Sequence, residues 1–311
     1  MKPKVIVICG PTASGKTSLS IELAKRINGE IISCDSMQIY KDMTIGTAKP
    51  TVEEMDGVPH HLIDFVLPSE RYSVADFKKA ATKKIEEILG RNKTPIIVGG
   101  TGLYVDALVY NIEYLELETD LKYRQELENL IEQKGLEALY ERAKQIDGQA
   151  MQSISKNDKK RIMRVLEIYH QTGKTKTQLE AESRLTPPPY DYIVFAITMY
   201  REKLYERINL RVDIMLENGL IEEVQSLLNK YKEFPTAMQG LGYKEVVEYL
   251  DGKTTKEEMI EKLKMETRRY AKRQLTWFRK NKDIKWIDGL APLEQNIQYI
   301  LEEYSGEEEN K

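Results

Sequence analysis

Residues 4–17 read KVIVICGPTASGKT, and this stretch decides the fold. Its first half, residues 4–10, is a short apolar run rich in β-branched residues and ending in glycine, the pattern of a parallel strand buried on both faces. Its second half, Gly10-Pro11-Thr12-Ala13-Ser14-Gly15-Lys16-Thr17, satisfies G-x-x-x-x-G-K-[ST] with a strand before it and a helix after it. Gly10 and Gly15 allow the backbone to curl so that successive N–H groups point inward. The helix that follows adds its positive N-terminal end, so the turn reads as a cradle for a di- or triphosphate. Lys16 is expected to reach the terminal phosphates and the Thr17 hydroxyl to coordinate Mg²⁺.

Working outward, residues 16–27 place Leu19, Leu23 and Ile27 four apart, on one helix face. Residues 30–34 (EIISC) form a second strand that ends at Asp35-Ser36. Residues 74–89 are amphipathic, and residues 94–99 (TPIIVG) form a third buried strand before Gly100-Thr101-Gly102. This alternation predicts an α/β fold, a P-loop doubly wound and mostly parallel sheet. Near Asp120 the texture changes to helical periodicity, with helices expected over residues 121–133, 136–144, 159–172 and 176–183. Pro187-Pro188-Pro189 closes that stretch as a stiff connector. Residues 192–198 (YIVFAIT) return to a buried strand, followed by helices over 201–218, 220–231, 243–250 and 256–281 and a late strand at 285–287. The expected division is a catalytic core of residues 1–119 and 189–291, an all-helical insertion of residues 120–188, and a C-terminal helix with an acidic tail over 292–311.

Composition sets bounds. A chain of 311 residues with 41% hydrophobic residues can bury a substantial core, which excludes wholesale disorder. The net charge of −3 conceals a basic stretch at 268–280 and an acidic end at 306–311, so nucleic acid stays among the candidate partners. Cys9 and Cys34 form no C-x-x-C pair, which points away from a disulfide framework or zinc module and towards buried thiols. His60 and His61 are adjacent, a poor spacing for joint metal binding, and read as hydrogen-bonded structural residues. The first apolar run is too short for a signal peptide or a membrane span, so a cytoplasmic protein without a membrane partner is expected.

A P-loop usually works with an acid on the third-strand region, but residues 97–101 read IVGGT and carry none. The nearest acid is Asp35, at the tip of the second strand. Strand C-termini face the ligand crevice in an open α/β sheet, so Asp35 should look towards the phosphates, either to hold Mg²⁺ through water or to act as a general base.

Residues 10–17 (GPTASGKT), 35–41 (DSMQIYK), 45–50 (IGTAKP), 59–64 (PHHLID), 99–104 (GGTGLY), 201–216 (REKLYERINLRVDIML), 240–245 (GLGYKE) and 272–279 (KRQLTWFR) occur in an order that resembles the bacterial tRNA dimethylallyltransferase (IPP transferase) family. The resemblance runs over roughly residues 3–290 and includes the helical insertion. It implies transfer of a dimethylallyl group from dimethylallyl diphosphate to N6 of adenosine 37, beside the tRNA anticodon, with the anticodon stem-loop as partner; a monomer is expected. It also implies that Arg211 stabilises the departing diphosphate, with Arg207 one turn earlier as a competitor. Asp35 would deprotonate the amine and Thr101 would hydrogen-bond the same amine or orient the aspartate.

An adenine must leave its stack to enter such a site. The expected RNA contacts begin with Asp35, Ser36, Met37 and Gln38, with Thr101, and with Arg124 on weaker resemblance. The helical insertion adds Lys160, Arg161, Ile162, Met163 and Arg164, a positive stripe begun by Lys159. Gln239, Gly240, Leu241, Gly242, Tyr243 and Lys244 are expected to help select the base, with Gln239 standing where some relatives carry a basic residue. Lys272, Arg273, Gln274, Leu275, Thr276, Trp277, Phe278 and Arg279, followed by Lys280, combine phosphate-binding charge with stacking surface. The competing readings are a small-molecule P-loop kinase, an isopentenyltransferase acting on free AMP or ADP, and a non-catalytic RNA-binding ATPase module. The kinase leaves the insertion and the Trp277 helix unexplained, and the free-nucleotide enzyme does not need two separated basic stripes. Some eukaryotic relatives append a zinc finger, whereas this sequence carries an acidic stretch there, residues 307–309, without cysteines.

Overall fold

The structure is a computed structural model that describes residues 2–114 and 120–306. The acidic stretch at 307–309 lies outside the described residues. The chain begins β1 (Lys4–Cys9), α1 (Lys16–Arg26), β2 (Gly29–Ser33), α2 (Val52–Met55), β3 (His60–His61), α3 (Val74–Gly90), β4 (Thr94–Gly99) and α4 (Gly102–Val109). Four helices follow: α5 (Leu121–Ile146), α6 (Gly148–Met151), α7 (Lys159–Thr172) and α8 (Lys176–Ser183). The chain then runs through β5 (Asp191–Thr198), α9 (Arg201–Glu217), α10 (Leu220–Lys230), a 3₁₀ turn (Ala237–Gln239), α11 (Tyr243–Leu250), α12 (Lys256–Phe278), β6 (Lys285–Asp288) and α13 (Leu293–Ser305).

The strands form one parallel sheet in the order β3-β2-β4-β1-β5-β6. Because successive side chains of a strand point to opposite faces, β1 feeds two cores. Val5, Val7 and Cys9 pack with Phe77 and Ile85 of α3 and Tyr104 and Leu108 of α4, whereas Ile6 and Ile8 pack with Leu19 and Leu23 of α1 and Ile297 and Ile300 of α13. Helices on both faces are what make residues 5–9 continuously apolar and the sheet doubly wound. A third core, built around Val212, Leu220, Leu227, Tyr243, Val246 and Leu263, joins α9, α10, α11 and α12 to the segment carrying Ile39 and Met43.

Packing divides the chain into two compact units, Met1–Val109 with Pro189–Lys311, and Tyr110–Pro188. The second unit has its own core, with Tyr123, Leu127 and Leu139 of α5 against Ile162 and Leu166 of α7. The two helices expected over 121–133 and 136–144 appear as α5, broken at Gly135 where φ is 80°. Asp147 anchors this unit locally: Oδ1 accepts from the Ala150 N–H at 3.0 Å and the Thr177 hydroxyl at 2.6 Å, and Oδ2 from the Thr177 N–H at 2.9 Å.

Strand β3 was not expected from the sequence, since two residues paired with Ile31 and Ile32 carry no readable period. Its histidines are hydrogen-bonded structural residues as anticipated, with His60 Nδ1 2.8 Å from the Val58 carbonyl and His61 Nε2 2.6 Å from Glu30 Oε2. Burial opposes the Glu30 charge, yet Arg91, His61 and Lys93 together outweigh it and hold the carboxyl down at about 2. Cys9 and Cys34 are buried free thiols, and burial pushes the Cys9 thiol up to about 12.

Candidate active site

Strand order brings the functional residues together. In the run β2-β4-β1, the tips carry Asp35, then Gly99-Gly100-Thr101, then the glycine-rich turn. All three border one cleft of about 730 Å³, closed on its other sides by α9, the segment 239–243 and α12. The middle tip has no room for an acid. A Cβ on Gly99 would stand 2.0 Å from the Cys34 carbonyl oxygen, and one on Gly100 would stand 2.1 Å from Gln274 Nε2. The carboxylate nearest the phosphate cradle is therefore borne by β2.

The phosphate end is a strained, tied turn. Ala13 sits at φ 62°, in the left-handed region that non-glycine residues rarely adopt. Lys16 Nζ donates to the Gly10 and Pro11 carbonyls at 3.1 and 2.6 Å. The Thr12 N–H donates to Gln274 Oε1, and Gln274 Nε2 donates to the Gly100 carbonyl, both at 2.9 Å. From α9, Arg211 Nη1 reaches Thr12 Oγ1 at 3.4 Å. Arg207 is exposed, one helical turn away, with Nη1 4.0 Å from where a Gly15 side chain would begin. Burial and the Arg211 charge lower the Lys16 ammonium to about 8, against the pull of Asp35. Burial likewise lowers Arg211, opposed by Asp35 and Glu54. Two partly desolvated cations beside a ring of N–H groups make a site for an anion. Ser14 Oγ is buried without a hydrogen-bond partner among the described residues, a cost of roughly 1–3 kcal/mol that a phosphate oxygen would remove.

The donor set also fits a hard dication. Thr17 is exposed at the cleft, and its hydroxyl with phosphate oxygens and water is the all-oxygen ligation Mg²⁺ favours. Among the described residues no cluster of three or more His, Cys, Asp or Glu could hold a metal by itself.

At the acid end, Asp35 Oδ1 accepts from the Met37 and Gln38 N–H groups at 2.8 and 3.3 Å, which fixes the carboxylate in a turn. Thr101 Oγ1 accepts from the Ser36 N–H at 3.1 Å, tying the tip of β4 to that of β2. Tyr270, on α12, also lines the cleft, and the sequence reading missed it. The signal was available as spacing, because Leu263, Thr267, Tyr270 and Gln274 form one stripe of α12 and all line the cleft.

The wall beyond Asp35 is held by internal bonds. Gln38 accepts from Ser33 Oγ at 3.0 Å and donates to the Thr47 and Ala48 carbonyls at 3.3 and 3.2 Å. Glu223, also missed, accepts the N–H groups of Thr44, Ile45 and Gly46 at 2.8, 2.7 and 3.1 Å and the Tyr243 hydroxyl at 2.6 Å. Tyr243 is buried and Gly240 packs on Met37, while Gln239, Leu241 and Gly242 line the cleft and Lys244 is exposed.

Several expected contact residues have side chains committed elsewhere. Phe278 is 1% exposed within the sheet core, which corrects its assignment to a stacking surface. Gln274 is the brace already described, and Leu275 packs beside Leu204 and Ile208. Trp277 donates its Nε1–H to Asp106 Oδ2 at 2.9 Å and is half-buried against Gly102. Lys272, Arg273, Thr276, Arg279 and Lys280 are exposed, with Arg273 over the Tyr270 ring at 5.7 Å and Lys280 over Trp277 at 5.2 Å. In the helical unit, Ile162 and Met163 are core residues, whereas Lys160, Arg161 and Arg164 are exposed on α7. Arg124 Nε lies 3.6 Å from Glu167 Oε1, and Arg164 lies 3.9 Å from the other oxygen of that carboxylate.

A doubly wound sheet with a glycine-rich cradle at β1 and a carboxylate at β2 defines a P-loop transferase. The IPP transferase family model matches residues 38–281. A tRNA dimethylallyltransferase of Acetivibrio thermocellus is 52% identical over 303 residues, covering 96% of this chain and 97% of that protein. Among solved structures, the full-length tRNA isopentenylpyrophosphate transferase from Bacillus halodurans is 46% identical with a TM-score of 0.74, over 98% of this chain and 96% of that one. A eukaryotic dimethylallyltransferase acting on tRNA is 34% identical with a TM-score of 0.81, over 98% of this chain and 79% of that one. The chain belongs to the IPP transferase family. Among the described residues no helix is long and apolar enough to cross a membrane.

Proposed function

We propose that this protein transfers a dimethylallyl group from dimethylallyl diphosphate to N6 of adenosine 37 in tRNA and releases diphosphate. The observation that carries the reading is the pairing of a phosphate cradle with Asp35 at strand tips of one cleft, with Thr101 tied to the Asp35 tip through the Ser36 N–H. A diphosphate seated on the turn puts the allylic carbon between the cations and the carboxylate. The amine nitrogen attacks that carbon while its bond to the diphosphate oxygen breaks, and the bonding pair leaves with the diphosphate. Lys16, Arg211 and the loop N–H groups stabilise the charge that grows there. Asp35 takes the proton lost by the amine, whose lone pair is otherwise delocalised into the purine. Mg²⁺ held by Thr17 and the diphosphate would add further charge stabilisation at the leaving group. The exposed cations of α7 and α12 are assigned to phosphates of the anticodon stem-loop, where they position the RNA without reading its sequence.

The test is incubation with labelled dimethylallyl diphosphate and either total tRNA or AMP. Label is expected in tRNA at N6 of adenosine 37. Label in AMP alone, or ATP-dependent phosphorylation of a metabolite, would reject the reading.

A further inference from the structure

Two arginines of the helical unit share one carboxylate. Tyr123 and Leu127 of α5 pack with Ile162, Met163 and Leu166 of α7, and this packing brings Arg124 and Arg164 to the same buried acid. That acid is Glu167, whose side chain is only 10% exposed, against 40% for Arg124 and 46% for Arg164. Arg124 Nε lies 3.6 Å from Glu167 Oε1, and Arg164 Nη1 lies 3.9 Å from Oε2. These are ion-pair distances, longer than hydrogen bonds. Glu167 Oε1 is accordingly buried without a hydrogen-bond partner among the described residues. A carboxylate placed this way does little for the fold, since its desolvation is costly and ion pairs to half-exposed arginines return little. What it does supply is convergence. Two guanidinium groups repel each other, and an anion shared between them lets both stand close. Arg124 meets the carboxylate through Nε, which leaves the two terminal nitrogens of its fork for a second anion, and Arg164 likewise keeps Nη2 and Nε.

We propose that Glu167 is a positioning residue for tRNA, holding the Arg124 and Arg164 guanidinium groups together as one receptor for a backbone phosphate without touching the RNA itself. This rests on the tRNA reading proposed above. Recognition of a phosphate by a planar fork needs a fixed geometry as well as charge. Charge alone and positioning therefore give opposite signs when the carboxylate is neutralised. Loss of a negative charge close to RNA would tighten binding, whereas release of the two arginines loosens it.

Glu167→Gln keeps the shape of the side chain and discards its charge. The dissociation constant for total tRNA, measured by filter binding, is expected to rise about fivefold. KM for tRNA should rise with it, while kcat at saturating tRNA and KM for dimethylallyl diphosphate stay within about twofold, the pattern of lost uniform binding. On an Arg124→Ala, Arg164→Ala background the same change should no longer weaken binding, because the groups it positions are gone. Unchanged or tighter binding by Glu167→Gln overturns the inference. So does an undiminished loss on the Arg124→Ala, Arg164→Ala background, which is what damage to the fold would produce. Wild-type protein that binds no tRNA would instead remove the tRNA reading, so the two failures are distinguishable.

Discussion

The glycine-rich turn at residues 10–17 and the basic stretch at residues 272–279 are equally conspicuous in the sequence, yet only the first works as a contiguous block. In the turn the working groups are mainly backbone N–H groups of neighbouring residues, so the motif can be read letter by letter. On α12, consecutive side chains point in different directions around the helix. Of the eight residues 272–279, Phe278 enters the sheet core, Gln274 braces the turn, Leu275 packs on α9, and Trp277 bonds Asp106. Lys272, Arg273, Thr276 and Arg279 keep exposed side chains. A motif on a loop can be one site, whereas a motif on a helix is several.

The comparison can be broken where it predicts most. Lys16→Ala should lower kcat/KM for the donor by roughly 10²–10³-fold, the loss typical of removing one preorganised charge stabiliser, while tRNA affinity measured by filter binding stays within a few-fold. A large loss of tRNA affinity would mean that the turn is not dedicated to the donor. Phe278→Ala should destabilise the fold by about 3–5 kcal/mol in urea denaturation, as deletion of a buried aromatic does. A stable variant with weakened tRNA binding would return Phe278 to the RNA surface.

Proton chemistry sharpens the same division. Lys16 is held at about 8, so it is charged below that pH and neutral above it. Raising pH through 8 should therefore leave kcat/KM for the donor flat on the acid side of this group and lower it about tenfold per pH unit beyond. The tRNA dissociation constant should show no such break. The smallest effect belongs to the exposed half of α12. Arg273→Ala should weaken tRNA binding only a few-fold and reduce the slope of log K against log salt by about one counterion. An unchanged slope would remove that phosphate contact.

What the sequence disclosed follows the same physics. Strands β1, β4 and β5 are buried on both faces and announce themselves as unbroken apolar runs. Asp35 was found because strand tips face the crevice of an open α/β sheet, a rule that needs no side-chain geometry. Strand β3 was invisible because two residues have no period. Glu223 was missed for a different reason. Its partners in the segment 44–46 lie more than a hundred residues away in the chain, and only the folded packing of α10 brings them near. Long-range side-chain bonds leave no local spacing to detect.

The single amide of Gln274 grips the N–H of Thr12 and the carbonyl of Gly100 at once. A polypeptide chain emerging from the ribosome finishes its complete glycine-rich signature very early, yet the clamp that shapes it arrives some 260 positions later. A truncated product ending before α12 would carry every letter of the signature without this support. The bracing of the glycine-rich turn is thus completed only when nearly the whole polypeptide has been made.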